Sequence, residues 1–445
     1  MAPNSKGAAP TVAIETHGCK LNMADSQRLA REFLHAGFAV DGTDEPDVYV
    51  LNSCTVTHVA DRKARRALSA ARRSHPAALV VASGCFAERS PAAVEALEAV
   101  DLVVTNRDKA HLVQMVAARL GIQLGQPPQF PRSPESPGRR LLGRTRAFIK
   151  IQEGCDQVCA YCIVPRVRGR ERSVPVEDLV EQVRTAAGEG VKEVVLTGTQ
   201  LGTYGFETLS CGLPDLLKRL LNETDVPRIR VSSLQPPEMT GELLELWSGV
   251  GRGRLCPHFH MPLQSGSDAI LARMRRRYTA RQYLEAVERA KLAAPDAAIT
   301  TDAIAGFPGE TDADFETTAD VMRLAGLAGA HVFPFSARPG TSAARFPGQV
   351  PVDVRIERAA GLRRVAEAGA AEFRSRLAGH TRPVLWESSM PLSGMTDNYV
   401  RVEMVEGAAG LEPADRVPVG RSRMNRIEEV LLVGVAGDHM LARRP

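Results

Sequence analysis

Three cysteines fall within eight residues of the run Gly154-Cys-Asp-Gln-Val-Cys-Ala-Tyr-Cys, where Cys155, Cys159 and Cys162 form a C-x3-C-x2-C. The preceding Arg146-Ala-Phe-Ile-Lys-Ile-Gln reads as a strand, which places the thiols at a strand end. Three crowded thiols cannot pair evenly as disulfides. Thiolates are the soft ligands that iron–sulfur clusters take. Three of them can hold three irons of a four-iron cluster and leave the fourth open to a small chelating molecule. A structural zinc site usually needs four ligands, as two C-x2-C or Cys/His pairs, and no fourth Cys or His stands close behind Cys162. Tyr161 could cover such a cluster or serve as a plain core aromatic.

A second set emerges from the strand pattern. Cys19, Cys54 and Cys85 each follow a short buried-strand run, at 11–15, 47–51 and 78–82. Parallel strands that each end in a cysteine bring those cysteines to one crevice at their carboxyl ends. The flanking His17-Gly18, Asn52-Ser53 and Ser83-Gly84 are mostly small and polar, as a close-approach metal loop needs. A single such cysteine would read as a small buried hydrophobe; three at matching strand ends read as ligands. Cys211 and Cys256 lack such company and read as structural, as do His17, His258 and His260.

Further along, strand-end segments offer polar groups. Thr197-Gly198-Thr199-Gln200, Ser232-Ser233, Gln264-Ser265-Gly266-Ser267 and Gly306-Phe-Pro-Gly309-Glu310-Thr311 are either loop punctuation or contacts to a polar cofactor. Gly198, Gly202 and Gly205 are spaced wrongly for a G-x-G-x-x-G turn.

The elements that position these groups fall into three parts. Residues 10–122 alternate buried strands with helical patterns at Ala24–Phe33 and Arg62–Arg72, which implies an α/β domain with a parallel sheet. A proline-rich stretch over 123–142 reads as a linker. From 143 to 375, strands at 146–152, 193–198, 228–233, 258–263, 298–305 and 330–335 each precede a helical stretch, which suits a partial (β/α)6 barrel. Its active groups would lie at the carboxyl-end face. Residues 378–440 change to short strands, at Thr381–Glu387, Asn398–Met404, Asp415–Val419 and Glu428–Val435, and read as a small β-barrel.

The composition, 44% hydrophobic and 24% charged, is that of a globular protein. No apolar run approaches the ~18 residues of a membrane span, and the first residues lack a signal-peptide core. Eight cysteines in such a chain point to a reducing cytoplasmic setting with metal-binding or catalytic thiols. Net charge is only +4, yet basic residues cluster at Arg62–Arg66, Arg139–Lys150, Arg166–Arg172, Arg273–Arg277 and Arg416–Arg426. Five such runs point to a polyanionic partner.

The motifs together resemble the radical S-adenosylmethionine methylthiotransferases. In the first domain the likeness rests on Gly18-Cys-Lys-Leu-Asn-Met-Ala-Asp-Ser26, Asn52-Ser-Cys-Thr-Val-Thr57 and Gly84-Cys85. In the second it rests on Lys150–Cys162, Pro262-Leu-Gln-Ser-Gly-Ser-Asp268 and Gly306-Phe-Pro-Gly-Glu-Thr311. The tail resembles the RNA-binding TRAM barrel through Gly394-Met-Thr-Asp-Asn-Tyr-Val400. His17 and Trp386 depart from the usual residues. The resemblance implies two [4Fe-4S] clusters, one on Cys19, Cys54 and Cys85 and one on Cys155, Cys159 and Cys162. It also implies S-adenosylmethionine as cofactor, with Gly198, Gln200, Ser232, Gln264 and Ser265 as its expected contacts. Known substrates of the family are threonylcarbamoyladenosine and isopentenyladenosine in tRNA and a ribosomal protein aspartate. Cys54–Arg65, Leu196–Gly205 and Leu255–His260 are most similar to the threonylcarbamoyladenosine subgroup. The implied partners are a tRNA anticodon loop and an electron donor such as flavodoxin or ferredoxin, with no membrane. A metal-stabilised RNA-binding protein without catalysis is the reading from another class.

Overall fold

A computed structural model describes residues 9–40, 45–123, 145–209, 211–389, 391–405 and 423–445. The expected linker (residue 123 apart) and the strand expected at Asp415–Val419 lie outside these.

Five parallel strands make the first domain: β1 (Thr11–Thr16), β2 (Ala39–Val40), β3 (Val48–Ser53), β4 (Leu79–Gly84) and β5 (Leu102–Val104). They lie in the order β2-β1-β3-β4-β5. β3 is buried at every residue and β4 at all but its first, as strands covered on both faces must be. The chain reverses its direction of travel across the sheet between β1 and β3, and ligands of open α/β sheets bind beyond the strand ends at such a switch point. Cys19, Cys54 and Cys85 follow β1, β3 and β4.

The second domain is the barrel. β6 (Arg146–Lys150) leads into a two-stranded ribbon, β7 (Gln152–Glu153) with β8 (Arg172–Ser173), which brackets the Cys155–Cys162 loop. β9 (Glu193–Thr197), β10 (Arg228–Val231), β11 (His258–His260), β12 (Ala298–Ala305) and β13 (Gly329–Pro334) continue it. The strands form two parallel sheets, β10-β9-β6 and β11-β12-β13, joined by the bridges Ile229↔Leu255 and Ser233↔His260. Val194, Leu196, Ile229, Val231 and Phe259 face outward into the core shared with the helices. By alternation, Arg146, Glu193, Arg230, His258, His260 and Asp302 face inward.

β6 is an edge strand. The helix Lys20–His35 of the first domain packs along it, and Gln27 Oε1 accepts from Phe148 N at 2.9 Å.

The tail strands β14 (Thr381–Ser389), β15 (Leu392–Thr396), β16 (Arg401–Met404), β17 (Ile427–Ala436) and β18 (His439–Arg443) close a barrel in the order β14-β15-β16-β18-β17. Trp386 is wholly buried in its core and donates Nε1 to Glu428 Oε2 at 2.9 Å. This barrel docks on the first residues of the second domain's barrel strands. Arg228 donates to Pro383 O at 2.6 Å, Arg230 to Asp397 O at 2.9 Å, and Tyr399 stacks on His258 at 4.4 Å. No helix among the described residues is long and apolar enough to cross a membrane.

Candidate active site between two cysteine triads

The Cys155–Cys162 loop is pinned by backbone from three directions. Cys155 N donates to Gly169 O at 3.1 Å, Ala160 N to Met274 O at 3.0 Å, and Ala343 N to Ala160 O at 2.8 Å. Gly154 makes the entry turn at φ +81°, where a Cβ would lie 1.9 Å from Arg170 O; only glycine fits. Burial raises the Cys162 thiol to about 12 and that of Cys155 to about 11. The counterweight is Arg276, whose Nη1 lies 3.4 Å from Cys159 Sγ. Tyr161 packs edge-on against Phe307, 6.5 Å between ring centres, in the role of a core aromatic.

In the other triad, Cys54 and Cys85 are buried and Cys19 is exposed. Burial pushes the Cys54 thiol up to about 12, and the neighbouring Cys19 and Cys85 add to the shift, so the three thiols share one electrostatic environment. Gly84 permits the approach: at φ +90° its missing Cβ would fall 2.4 Å from Ser53 O. Cations face this triad too, with Arg168 in reach of Cys85 and Cys19, and Lys109 in reach of Cys85.

Both sets are all-thiol, crowded, and faced by buried cations. Thiols that burial keeps protonated ionise when metal binds, and the cations then offset the charge. The residues therefore fit iron–sulfur clusters. Among the described residues no three His, Cys, Asp or Glu side chains converge as the ligands of a single ion.

The two triads adjoin. Cys85 packs with Ile163 and Val167, on the segment that follows Cys162. Asn106 Nδ2 donates to Val167 O at 2.7 Å and reaches Cys85 Sγ at 3.7 Å. Behind the contact, Asp25 takes Lys109 at 3.1 Å, Lys150 at 2.7 Å and Arg168 at 3.3 Å. Burial opposes its ionisation, but these cations hold the carboxyl well below the usual carboxylate range. On the far side Asp61 accepts from Thr55 at 2.5 Å, Arg89 at 2.8 Å and Arg338 at 2.6 Å. Arg338 follows β13, so the loop that meets Ala160 also holds the Cys54 loop.

The expected cofactor contacts divide. Gly198 crosses Gln152 closely, with Thr199 N and Gln200 N donating to Gln152 Oε1 at 3.0 Å each. Gln200 bonds Glu238 and accepts from Gln235 Nε2 at 2.5 Å, and Gln235 accepts from Arg276 at 2.9 Å. A hydrogen-bonded chain thus runs from Cys159 through Arg276 to Gln200. The Ser232 hydroxyl is buried and unpartnered, free for a ligand. Gln264 sits at φ +65°, a strained conformation for a side-chain-bearing residue. Ser265 differs from expectation: its fully buried hydroxyl meets Thr318 Oγ1 at 3.3 Å and Ser267 N at 3.2 Å, fixing the helix Asp312–Ala325.

Arg338, Asp61 and Asn106 escaped the sequence reading, because no period or spacing marks a residue that works across domains; Gln235 and Glu238 escaped it because their partners lie on other strand ends, and Arg276 was read only as part of a basic run. Within the basic runs, Arg168 and Arg276 are internal. Arg62, Lys63, Arg65, Arg66, Arg166, Arg170, Arg273, Arg275 and Arg277 are exposed. Cys256 lies at the opposite barrel end, its Sγ 3.9 Å from Glu193.

The Radical SAM superfamily model matches residues 149–322, and the model described as uncharacterized protein family UPF0004 matches residues 11–105. The chain is 36% identical over 406 residues to threonylcarbamoyladenosine tRNA methylthiotransferase MtaB of Thermotoga maritima, spanning 90% of this chain and 92% of that protein. It is 37% identical over 445 residues to tRNA-2-methylthio-N(6)-dimethylallyladenosine synthase of Anaeromyxobacter, spanning 96% and 90%. In fold it is similar to the radical S-adenosylmethionine methyltransferase TsrM of Kitasatospora setae, with TM-score 0.56 and 14% identity over 84% of this chain and 79% of that one. S-adenosylmethionine and [4Fe-4S] clusters are the cofactors of such methylthiotransferases. With these domains and relatives, the chain belongs to the radical S-adenosylmethionine tRNA methylthiotransferases.

Proposed function

We propose that the enzyme places a methylthio group on C2 of N6-threonylcarbamoyladenosine at position 37 of tRNA. The observation that carries this reading is the contact of two all-thiol triads across the domain boundary, Cys85 against the segment after Cys162. An aromatic C–H offers no leaving group to polar chemistry, so its hydrogen must depart as an atom. With S-adenosylmethionine bound, the iron–sulfur groups would supply an electron, the radical that follows from it, and sulfur, while a second S-adenosylmethionine would supply the methyl group.

In this reading Cys155, Cys159 and Cys162 hold the cluster that takes S-adenosylmethionine, and Cys19, Cys54 and Cys85 hold the auxiliary one. Arg276 balances charge at Cys159. Gly198, Gln200, Ser232 and Gln264 line the cofactor's side of the face. Arg338 and Asn106 hold the two loops in register, so that a base splayed from the anticodon loop, as single-stranded RNA recognition favours, reaches both. Exposed arginines and the tail barrel grip phosphates, and flavodoxin or ferredoxin provides electrons.

The threonylcarbamoyl substrate is favoured by relatives of that name at 36%, 37% and 34% identity. The dimethylallyl nucleoside is the second reading, from the 37% relative. Mass spectrometry of tRNA nucleosides from a strain lacking the gene decides. Loss of the methylthio-threonylcarbamoyl nucleoside alone supports the proposal, and loss of the methylthio-dimethylallyl nucleoside overturns it.

A further inference from the structure

Lys20 directly follows Cys19 and opens the helix Lys20–His35, which covers the open side of the catalytic barrel. Its ammonium lies 5.6 Å from the centre of the Tyr399 ring, in the field of Arg230, Arg146, Glu193 and Asp302. It therefore reaches the barrel interior while its neighbour Cys19 belongs to the thiol crevice.

The other basic groups there are matched. Arg230 has Glu193 at 2.7 Å and Arg146 has Glu387 at 2.7 Å. Arg228 shares Glu193 at 3.8 Å and bonds two tail carbonyls. His260 has Asp302 at 3.3 Å. Among the described residues, Lys20 has no carboxylate within ion-pair distance. A half-buried lysine without a counter-ion carries a desolvation cost, and that cost is offset if the counter-ion arrives with a ligand.

We propose that Lys20 is a specificity-determining residue that reads a carboxylate on the N6 substituent of the target base. This deepens the threonylcarbamoyl reading and rests on it. In adenine, C2 and C6 both flank N1, so a base whose C2 meets the Cys19 crevice carries its N6 substituent along the same edge. The threonylcarbamoyl group ends in a carboxylate, whereas a dimethylallyl group is uncharged. One ammonium in the barrel interior, carried by the residue after Cys19, therefore separates the two. S-adenosylmethionine also carries a carboxylate, so the test must tell the sources apart.

The test is binding of anticodon stem-loop oligonucleotides to the cluster-reconstituted protein, without turnover. The three probes carry threonylcarbamoyladenosine, its carboxylate methyl ester, or plain adenosine at position 37. Wild type should bind the carboxylate probe about 10- to 100-fold more tightly than the ester, the worth of a charge-assisted contact. K20Q should erase that difference and K20R should keep most of it, while affinity for S-adenosylmethionine stays unchanged. Should K20Q not fold, the ester comparison on wild type carries the test, and equal affinities overturn the proposal. It is also overturned if K20Q keeps the full preference, or if K20Q loses S-adenosylmethionine binding instead. If wild type does not distinguish the carboxylate probe from plain adenosine, the threonylcarbamoyl reading itself fails.

Discussion

Cys85 packs with Ile163 and Val167, just after Cys162, so the two thiol triads are neighbours although 70 positions separate their nearest members, Cys85 and Cys155. Asn106 secures the contact through Val167 O. Asn106→Ala leaves that carbonyl unpaired at a cost of about 1–3 kcal/mol and loosens the docking. The variant should still release deoxyadenosine but form less methylthio product per deoxyadenosine. An unchanged ratio in single-turnover assays would show that Asn106 does not set the register.

The triads should separate by function. Cys155→Ala should abolish deoxyadenosine formation and remove about half of the iron from the anaerobically purified protein. Cys85→Ser should keep cofactor cleavage while losing methylthiolated tRNA. Product from the second variant would refute the sulfur-supplying role of its triad.

Asp61 is the shared acceptor of Thr55, Arg89 and Arg338. Asp61→Asn leaves two inward guanidinium groups without a counter-charge, and breaking a buried pair in this way costs about 3–5 kcal/mol. Urea denaturation should show a loss of that order. A change below about 1 kcal/mol would mean that water already compensates these cations.

Burial raises the Glu238 carboxyl to about 7 from 4.5. The folded chain then keeps a proton that the unfolded chain has released, so this group's stabilising effect is complete below about 4.5 and is lost as pH rises to about 7. Glu238→Gln should flatten the stability profile across that window. A profile identical to wild type would place the titration elsewhere.

Arg62, Lys63, Arg65 and Arg66 are exposed on the helix His58–Ser74, next to the Cys54 loop. If they meet phosphates, Arg65→Glu with Arg66→Glu should weaken tRNA binding and flatten its salt dependence by about 0.7–0.9 log units per lost contact. An unaltered slope in filter binding would move the RNA path to another face.

The strands that end in cysteines were legible because burial on both faces writes continuous apolar runs, as in Val48–Leu51 and Leu79–Ala82. The six barrel strands, polar at their inward positions, were legible instead from their regular alternation with helical stretches. The short β5 and the tail strands Leu392–Thr396 and His439–Arg443 were not, since mixed polar residues on a small barrel blur the alternation. Ser265 looked like a cofactor contact because a hydroxyl in a Gly/Ser loop carries no mark of the side it faces. Arg338 and Asn106 gave no signal at all, because their partners lie in another domain and only the folded chain brings them together.

The helix Lys20–His35 covers β6, and Gln27 occupies a backbone donor that a neighbouring strand would otherwise claim. A barrel produced without the first hundred residues would carry a raw sheet border, which invites chains to stack on one another. The two halves are thus poor candidates for separate expression or for exchange with other modules. The helix that shields this border begins at the residue after Cys19, so covering the sheet edge and bringing that cysteine to the barrel are done by one element.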